Sequence, residues 1–359
     1  MAAAGGRSVT ESEGPGAGLA RVPLGHSGLR VTRLIFGGAP IGGLFAPVSE
    51  VQAHATLAGA WAAGIRTFDT APHYGVGLSE QRLGGFLRGI PRADYVLSTK
   101  VGRLLVPATG EVEGAEAFYG TPRLSRVFDY SRDGVLASLE ASLARLGTDR
   151  IDIVLIHDPD NHARQALDEA LPTLAHLRAT GVIGAVGVGM NQAPMLEWFV
   201  ARADLDCVLM AGRYTLLDTR AARTLLPECR KRGVAVLAGG VFNSGILAGP
   251  GPGATYNYAP APAAMVDRAK RMRDVCERHG VPLAAVALQF TLAHPAVTAA
   301  LVGARSAAEI SQDAGYLRTP VPDAVYQELI AGGLLVPGTQ RSPARGAAPG
   351  APGRESEQR

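Results

Sequence analysis

The sequence predicts an α/β fold and, within that class, a (β/α)8 TIM barrel with an N-terminal β-hairpin and long βα loops. Short apolar, β-branched runs alternate eight times with longer helical stretches. Residues suited to chemistry fall just past the ends of several of these runs, where a parallel barrel gathers its βα loops on one rim. No shift in composition breaks the series, so residues 19–336 of the 359 read as one barrel domain.

The elements follow in order. Residues 1–18 are rich in Gly, Ala and charge and are expected to form a disordered tail. RVPLGHSGLRVT then reads as two short strands around Ser27 and Gly28, a hairpin expected to plug one end of the barrel. The first barrel strand is RLIFGG, with a helix from Ser49, and the second is IRTFDT, with a helix from Ser79. YVLSTK precedes a helix from Ser131, and IDIVLIH precedes one through residues 166–179. VIGAVGVG is followed by a helix near Met195, and CVLMA by a helix reaching Lys231. VAVLAGG leads to helical text over 263–292, and VTAALVG to a helix from Ser306. Residues 337–359, rich in Gly, Pro, Ala and charge, read as a second disordered tail.

Two stretches lack this rhythm: residues 102–126 after the third barrel strand and 241–262 after the seventh, both rich in Gly and Pro. Loops of such length in a compact domain serve as lids or stay disordered, and their place on the loop-bearing rim favours lids. They offer Arg103, Tyr256 and Tyr258 as candidate contacts to substrate or cofactor.

Composition narrows the function. With 47% hydrophobic and 19% charged residues, the chain has ample material for a large core. A net charge of +3 is small, and the arginines are scattered, so neither nucleic acid nor an anionic membrane surface is implied. The three cysteines are widely spaced and odd in number, which excludes a full disulfide framework and matches no zinc pattern; a reducing cytoplasm is expected. The first residues hold no apolar signal core, and no apolar run is long enough to span a bilayer. The sequence carries no signal for or against self-association.

The chemistry concentrates in four residues: Asp69 and Tyr74 in FDTAPHYG, Lys100 in VLSTKVG and His157 in IVLIHDPD. A phenol titrates near about 10, and a neighbouring ammonium favours the phenolate; Lys100 is placed to lower the value of Tyr74. A buried ammonium needs a carboxylate, which Asp69 supplies. His157 is left to donate to a substrate oxygen. The set suits proton transfer to or from a carbonyl or alcohol oxygen, with Tyr74 as acid in one direction and base in the other. His73, beside Tyr74, is expected on the same rim, and His162 in DPDNHA within reach of substrate; His54, His176, His279 and His294 read as structural.

No side chain here accepts a hydride and no metal-ligand spacing stands beside a strand end, so a redox partner is required and nicotinamide is the natural choice. The glycines Gly184, Gly187 and Gly189 lack the GxGxxG spacing, which disfavours a Rossmann dehydrogenase. Instead GARSAAEISQD follows the last strand and opens a helix, offering backbone N–H groups, the helix dipole and Arg305 to a phosphate.

FDTAPHYG, STKVG and LIHDPD resemble the Asp, Tyr, Lys and His motifs of the aldo-keto reductase superfamily. YGVGLSEQRLG, FDYSRDGVLASLEASLARLGTDRIDIVLIHDPD and GGVFNSGIL are similar to its aldose 1-dehydrogenase branch, which includes L-fucose, D-threo-aldose and pyridoxal 4-dehydrogenases; the similarity spans residues 23–336. The resemblance implies catalytic roles for Asp69, Tyr74, Lys100 and His157. It also implies cofactor contacts from Gly38, Ala39, Asp69 and Phe242, from Asn191 to the nicotinamide carboxamide, and from Asn243, Ser244 and Gly245 to the pyrophosphate. Gly303, Arg305, Ser306, Glu309 and Asp313 fall on the adenosine-phosphate segment.

The sequence departs from the wider family at two points. The strand-seven tyrosine that stacks on nicotinamide is replaced around Gly239 and Gly240, and the glutamine near the sixth strand end by Ala211, which shifts hydride geometry to contacts such as Phe242 or Arg213. Glu309 and Asp313 stand where Gln and Asn often occur, and their charge disfavours a 2′-phosphate, so NAD is expected over NADP. Ser306 and Glu309 also form a capping-box pattern, in which Glu309 only satisfies a backbone donor.

The expected activity is therefore a nicotinamide-dependent oxidation of an aldose at C1 to the lactone. A second reading keeps the site and takes pyridoxal or a simple aldehyde. A third, from another class, is a cofactor-binding regulatory subunit with little turnover. A metal-dependent barrel hydrolase ranks last.

Overall fold

In the computed structural model, residues 19–110 and 115–338 are described; the tail expected at 1–18, and the second tail after Gly338, lie outside them. The strands are β1 (Arg21–Pro23), β2 (Arg30–Thr32), β3 (Leu34–Gly37), β4 (Thr67–Asp69), β5 (Val96–Val101), β6 (Arg103–Pro107) and β7 (Leu124–Phe128). They continue with β8 (Ile153–His157), β9 (Ala185–Met190), β10 (Cys207–Ala211), β11 (Ala235–Gly239), β12 (Thr255–Tyr256), β13 (Ala259–Pro260) and β14 (Val297–Val302). Eight of these, β3, β4, β5, β8, β9, β10, β11 and β14, pair in parallel and close into a barrel in chain order. The architecture is the (β/α)8 barrel expected from the alternation.

The period of two along each strand decides what faces inward. Ile153 and Leu155 fill the barrel interior, whereas Val154 and Ile156 pack outward against the helices. Cys207 and Leu209 face in, and Val208 and Met210 face out, by the same rule. The β1–β2 hairpin is antiparallel, and its Leu24 and Val31 are fully buried in the interior cluster with Ile35 and Val96, so it closes one end. Ser49, Ser131 and Ser306 each accept a backbone N–H at the start of a helix, satisfying a donor that the first turn leaves free.

Three boundaries differ from the sequence expectation. Within the long stretch after β5, β6 and β7 form an antiparallel hairpin, with Arg103 opposite Phe128 and Pro107 opposite Leu124. The strand signal of β6 is carried by RLLVP, whose apolar residues follow Gly102. The helical text over 263–292 divides into helices Ala263–Arg278 and Leu283–Ala293, because Gly280 (φ 68°) takes the left-handed turn and Pro282 caps the next start. After β14, helix Ala307–Tyr316 is followed by a separate helix, Asp323–Ala331. No helix among the described residues is long and apolar enough to cross a membrane.

Candidate active site

Inward alternation delivers three of the four polar residues to one layer at the strand ends. In β4 it is Thr67 and Asp69 that share a face, in β5 Val96, Ser98 and Lys100, and in β8 Ile153, Leu155 and His157. Asp69 lies opposite Ser98 in the register, so Ser98 Oγ donates to Asp69 Oδ1 at 2.8 Å. Lys100, two residues further along the same face, turns its Nζ to Asp69 Oδ2 at 2.6 Å and to the Thr70 carbonyl at 2.9 Å. Both partners of this ion pair are almost entirely buried, at 1% and 2% side-chain exposure.

Tyr74 comes from the turn after β4. That turn is pressed against the short helix Pro40–Gly42: a Cβ on Gly75 (φ +61°) would meet the Gly42 carbonyl oxygen at 2.2 Å. Only glycine permits this approach and this conformation, and the contact sets the Tyr74 ring under the Lys100 ammonium, which lies 4.5 Å from the ring centroid. Phe118 stacks on the Tyr74 ring at 6.3 Å, and the His157 ring meets Tyr74 edge-on at 5.7 Å.

The electrostatics follow from burial. Desolvation pulls the Lys100 ammonium down, but the Asp69 carboxylate and the Tyr74 phenol more than offset it, so the lysine is held charged. Asp69 is pushed above the usual carboxylate range by burial, against the opposing pull of Lys100. Tyr74 departs from the sequence expectation: Lys100 does draw it down, yet burial outweighs the lysine and leaves the phenol raised overall. His157 is held well below its ordinary value, by burial first and then by Arg103 and Lys100, so it is a neutral imidazole with one N–H to donate.

Further charged side chains border these groups. Arg103 donates to Asp158 Oδ2 at 2.5 Å and to His73 Nδ1 at 2.9 Å. Asp158 takes a left-handed backbone (φ 43°), and burial lifts its carboxyl to about 6 in spite of Arg103. Tyr130 donates to the carbonyls of His157 and Asp158 at 2.6 and 2.9 Å, fixing the end of β8. Glu116 (φ 53°) lies 3.1 Å from His73 Nδ1, 3.5 Å from Arg103 and 3.7 Å from Arg126.

Two adjoining cavities open over this layer. One, of about 470 Å³, is lined by Tyr74, Lys100, His157, His73, Arg103, Glu116, Phe118 and Asp158. The other, of about 690 Å³, runs from Tyr74 past Asn191, Gly239 and Phe242 to Gly303, Arg305 and one face of helix Ala307–Tyr316. Glu309, Gln312, Asp313 and Tyr316 form that face, spaced as neighbouring helix turns require. The cavities share Ala39, Leu44, Tyr74, Asn191, Leu209, Ala211 and Tyr258, so they are two lobes of one groove.

Of the residues expected at a cofactor, Ala39, Asn191, Phe242, Asn243, Ser244, Gly245, Gly303, Arg305, Glu309 and Asp313 line the larger lobe. Gly38, Asp69 and Ser306 do not. Gly38 packs into the start of the helix after β4, where a Cβ would meet Ser79 Oγ at 2.5 Å. Asp69 has both oxygens engaged by Ser98 and Lys100, and Ser306 turns its hydroxyl to the Glu309 N–H at 3.1 Å. Glu309 itself accepts from the Arg305 backbone N–H at 2.8 Å and faces the Arg305 guanidinium at 3.7 Å, so it is both a cap and a cavity wall. Burial, and then Glu309, lift the Asp313 carboxyl to about 7.

Arg213 does not line either lobe: it donates to the Asn191 carbonyl at 2.6 Å and to Asn257 Oδ1 at 2.8 Å, tying two rim loops together. Of the other sequence candidates, Arg103 and His73 line the smaller lobe and Tyr258 both, while Tyr256 packs against the core. His162 stacks on Tyr130 and Phe128 at 5.3 and 5.4 Å and lines neither lobe. Glu116, Phe118, Arg126 and Asp158 were missed; Asp158 alone carried a signal, as the residue following His157.

The residues present fit a dinucleotide. The larger lobe has a cation and a helix N-terminus at one end, and its wall includes the buried amide of Asn243, whose Oδ1 has no hydrogen-bond partner among the described residues. No group of three or more His, Cys, Asp or Glu among the described residues is placed to hold a metal ion.

The Aldo/keto reductase family model matches residues 33–331. The chain is 41% identical over 316 residues to the D-threo-aldose 1-dehydrogenase of a Pseudomonas species, covering 86% of this chain and 96% of the relative. It is 42% identical over 332 residues to the pyridoxal 4-dehydrogenase of Microbacterium luteolum, covering 87% and 97%. Among solved structures, the holo form of the aldo-keto reductase AKR11C1 from Bacillus halodurans superposes with a TM-score of 0.68 at 25% identity, covering 88% of this chain and 96% of that one.

Proposed function

The chain belongs to the aldo/keto reductase family and is an NAD(P)-dependent oxidoreductase, and from that premise we propose that it oxidises an aldose at its anomeric carbon to the lactone. The observation that carries the reading is the buried Lys100–Asp69 pair, whose ammonium lies 4.5 Å from the centroid of the Tyr74 ring. Bound nicotinamide supplies the hydride acceptor that no side chain of the site can be. Tyr74 holds the proton at its phenolic oxygen, taking it from the C1 hydroxyl in oxidation and returning it in reduction. Lys100 favours the deprotonated phenol, and Asp69 keeps the ammonium in place. His157, being neutral, donates to the same substrate oxygen without adding a charge that would compete for the proton.

Three groups on the loops after β4 and β5, His73, Arg103 and Glu116, give the smaller lobe donors and an acceptor suited to a hydroxylated substrate. A second substrate, pyridoxal or another aromatic aldehyde, is favoured by one observation: Phe118 stacked on Tyr74 gives the same lobe a flat apolar wall. NAD is the proposed cofactor, on the support of Glu309 and Asp313 beside Arg305 in the adenosine end of the groove. The proposed location is the cytoplasm, supported by three cysteines that are buried free thiols.

The test is a spectrophotometric screen of aldoses, pyridoxal and simple aldehydes that follows reduced nicotinamide, with NAD and NADP tried separately. Aldose-dependent reduction of the cofactor is the expected result. Cofactor binding without turnover of any of these substrates would overturn the proposal and leave a regulatory, cofactor-binding role.

A further inference from the structure

One carboxylate in the smaller lobe has no part in the proton chemistry, and its setting is unusual. Glu116 adopts a left-handed backbone (φ 53°), and so does Ala117 after it (φ 63°). Two consecutive non-glycine residues in this region are strained, and such strain persists only where the surroundings hold it and gathers at ligand sites. The surroundings do hold it: Phe45 N–H donates to the Ala117 carbonyl at 2.8 Å, and Leu44 and Phe118 form an isolated antiparallel bridge. Glu116 Oε2 is flanked by Arg103 and Arg126, at 3.5 and 3.7 Å, which come from the two strands of the β6–β7 hairpin.

His73 sharpens the assignment. Its Nδ1 lies 2.9 Å from Arg103 Nη1, and desolvation, then Arg103 and Arg126, hold the ring neutral. A neutral Nδ1 that accepts from Arg103 has no proton to give Glu116, although the two atoms are 3.1 Å apart. The carboxylate is thus anchored through one oxygen by two cations while the side chain stays about half exposed, at 51%, on the wall of the lobe that holds Tyr74 and His157. A carboxylate has about four acceptor positions and no donor, so what it still lacks is hydroxyl or amine hydrogens.

We propose that Glu116, clamped by Arg103 and Arg126, is the specificity-determining acceptor for a substrate hydroxyl remote from the reacting carbon. The inference rests on the aldose reading above and names the group that recognises the polyol chain. It sets aldoses apart from hydroxyl-free aldehydes, which have nothing to donate to the acceptor and lose nothing when it is changed.

The test pairs substrate and protein changes in the full chain with its nicotinamide cofactor. Kinetics are measured for oxidation of an active aldose and its monodeoxy analogues with oxidised nicotinamide, and for reduction of a hydroxyl-free aliphatic aldehyde with reduced nicotinamide, with the unmodified enzyme and with Glu116→Gln and Glu116→Ala. We expect the ratio of kcat/KM for the aldose to that for the aldehyde to fall about tenfold in Glu116→Gln, mainly through KM, as suits one charge-assisted hydrogen bond. One deoxy analogue should lose about as much with the unmodified enzyme and little further with the variant. Equal losses on aldose and aldehyde would mean that Glu116 only supports the loop, and would overturn the inference while the aldose assignment stands. A deoxy series in which no remote hydroxyl matters to the unmodified enzyme would overturn it without any variant. No aldose turnover at all would remove the aldose reading as well.

Discussion

Replacing Lys100 with Met separates the two tasks of the buried ion pair. The methionine fills a similar volume but leaves the Asp69 carboxylate with the Ser98 hydroxyl, 2.8 Å away, as its remaining side-chain partner. Both groups of the pair are 2% exposed or less, so solvent does not replace the lost ammonium. Breaking a buried pair from one side costs about 3–5 kcal/mol. At roughly 2 °C per kcal/mol for a domain of this size, Tm should fall by roughly 6–10 °C. The loss depends on pH with a definite sign. Burial already raises the Asp69 carboxyl in the folded state, and without Lys100 it rises further. An acid with a raised folded pKa loses stability as pH climbs from its unfolded value, about 3.9, through the folded value. The deficit of Lys100→Met should therefore be smaller near about pH 5 than near about pH 8, which thermal melts followed by circular dichroism will show. Activity should move the other way. Tyr74 loses the charge that opposes its burial, so the phenolate becomes scarcer and aldose oxidation falls at neutral pH. It should then recover by about tenfold per pH unit while Tyr74 stays mostly protonated. A loss of activity that is flat with pH, or an unchanged Tm, would refute the coupling between Lys100, Asp69 and Tyr74.

The other predictions concern the proton carrier, its support and the cofactor. Tyr74→Phe should keep nicotinamide binding, read by fluorescence titration, while turnover falls about 10²-fold or more; near-normal turnover in the folded variant would remove Tyr74 from the chemistry. Gly75→Ala puts a methyl group 2.2 Å from the Gly42 carbonyl oxygen, so it should lower Tm and cut turnover by more than about tenfold by displacing Tyr74; unchanged kinetics would show that this contact does not position the ring. The unmodified enzyme should have a higher kcat/KM with NAD than with NADP, and Glu309→Gln should shift the ratio towards NADP. Equal or better efficiency with NADP would mean that Arg305 dominates and that Glu309 acts only as the cap seen at 2.8 Å from the Arg305 N–H. Because the Asp313 carboxyl sits at about 7, discrimination against NADP should strengthen as pH rises through neutrality, and Asp313→Asn should flatten that rise.

The sequence by itself determined the barrel and singled out the groups proposed to react. Strand periodicity is local, and inward alternation in TFD, VLSTKV and IVLIH places Asp69, Lys100 and His157 on one interior face before any packing is known. The family motifs brought in Tyr74, whose turn is a short-range feature of the chain. What only the tertiary structure decided depends on distances between segments far apart in sequence and on the water excluded between them. Burial outweighs the pull of Lys100 on Tyr74, because a local motif names the neighbour but not the solvent it displaces. Gly38 and Ser306 do not line the groove because Gly38 packs against Ser79 of the next helix and Ser306 caps its own. Glu116 stands on the wall of the candidate active-site cavity beside Arg103 and Arg126 of the β6–β7 hairpin. No sequence period marks such a residue: its place is fixed by a strained turn and by two arginines from separate strands, and only the folded chain brings these together.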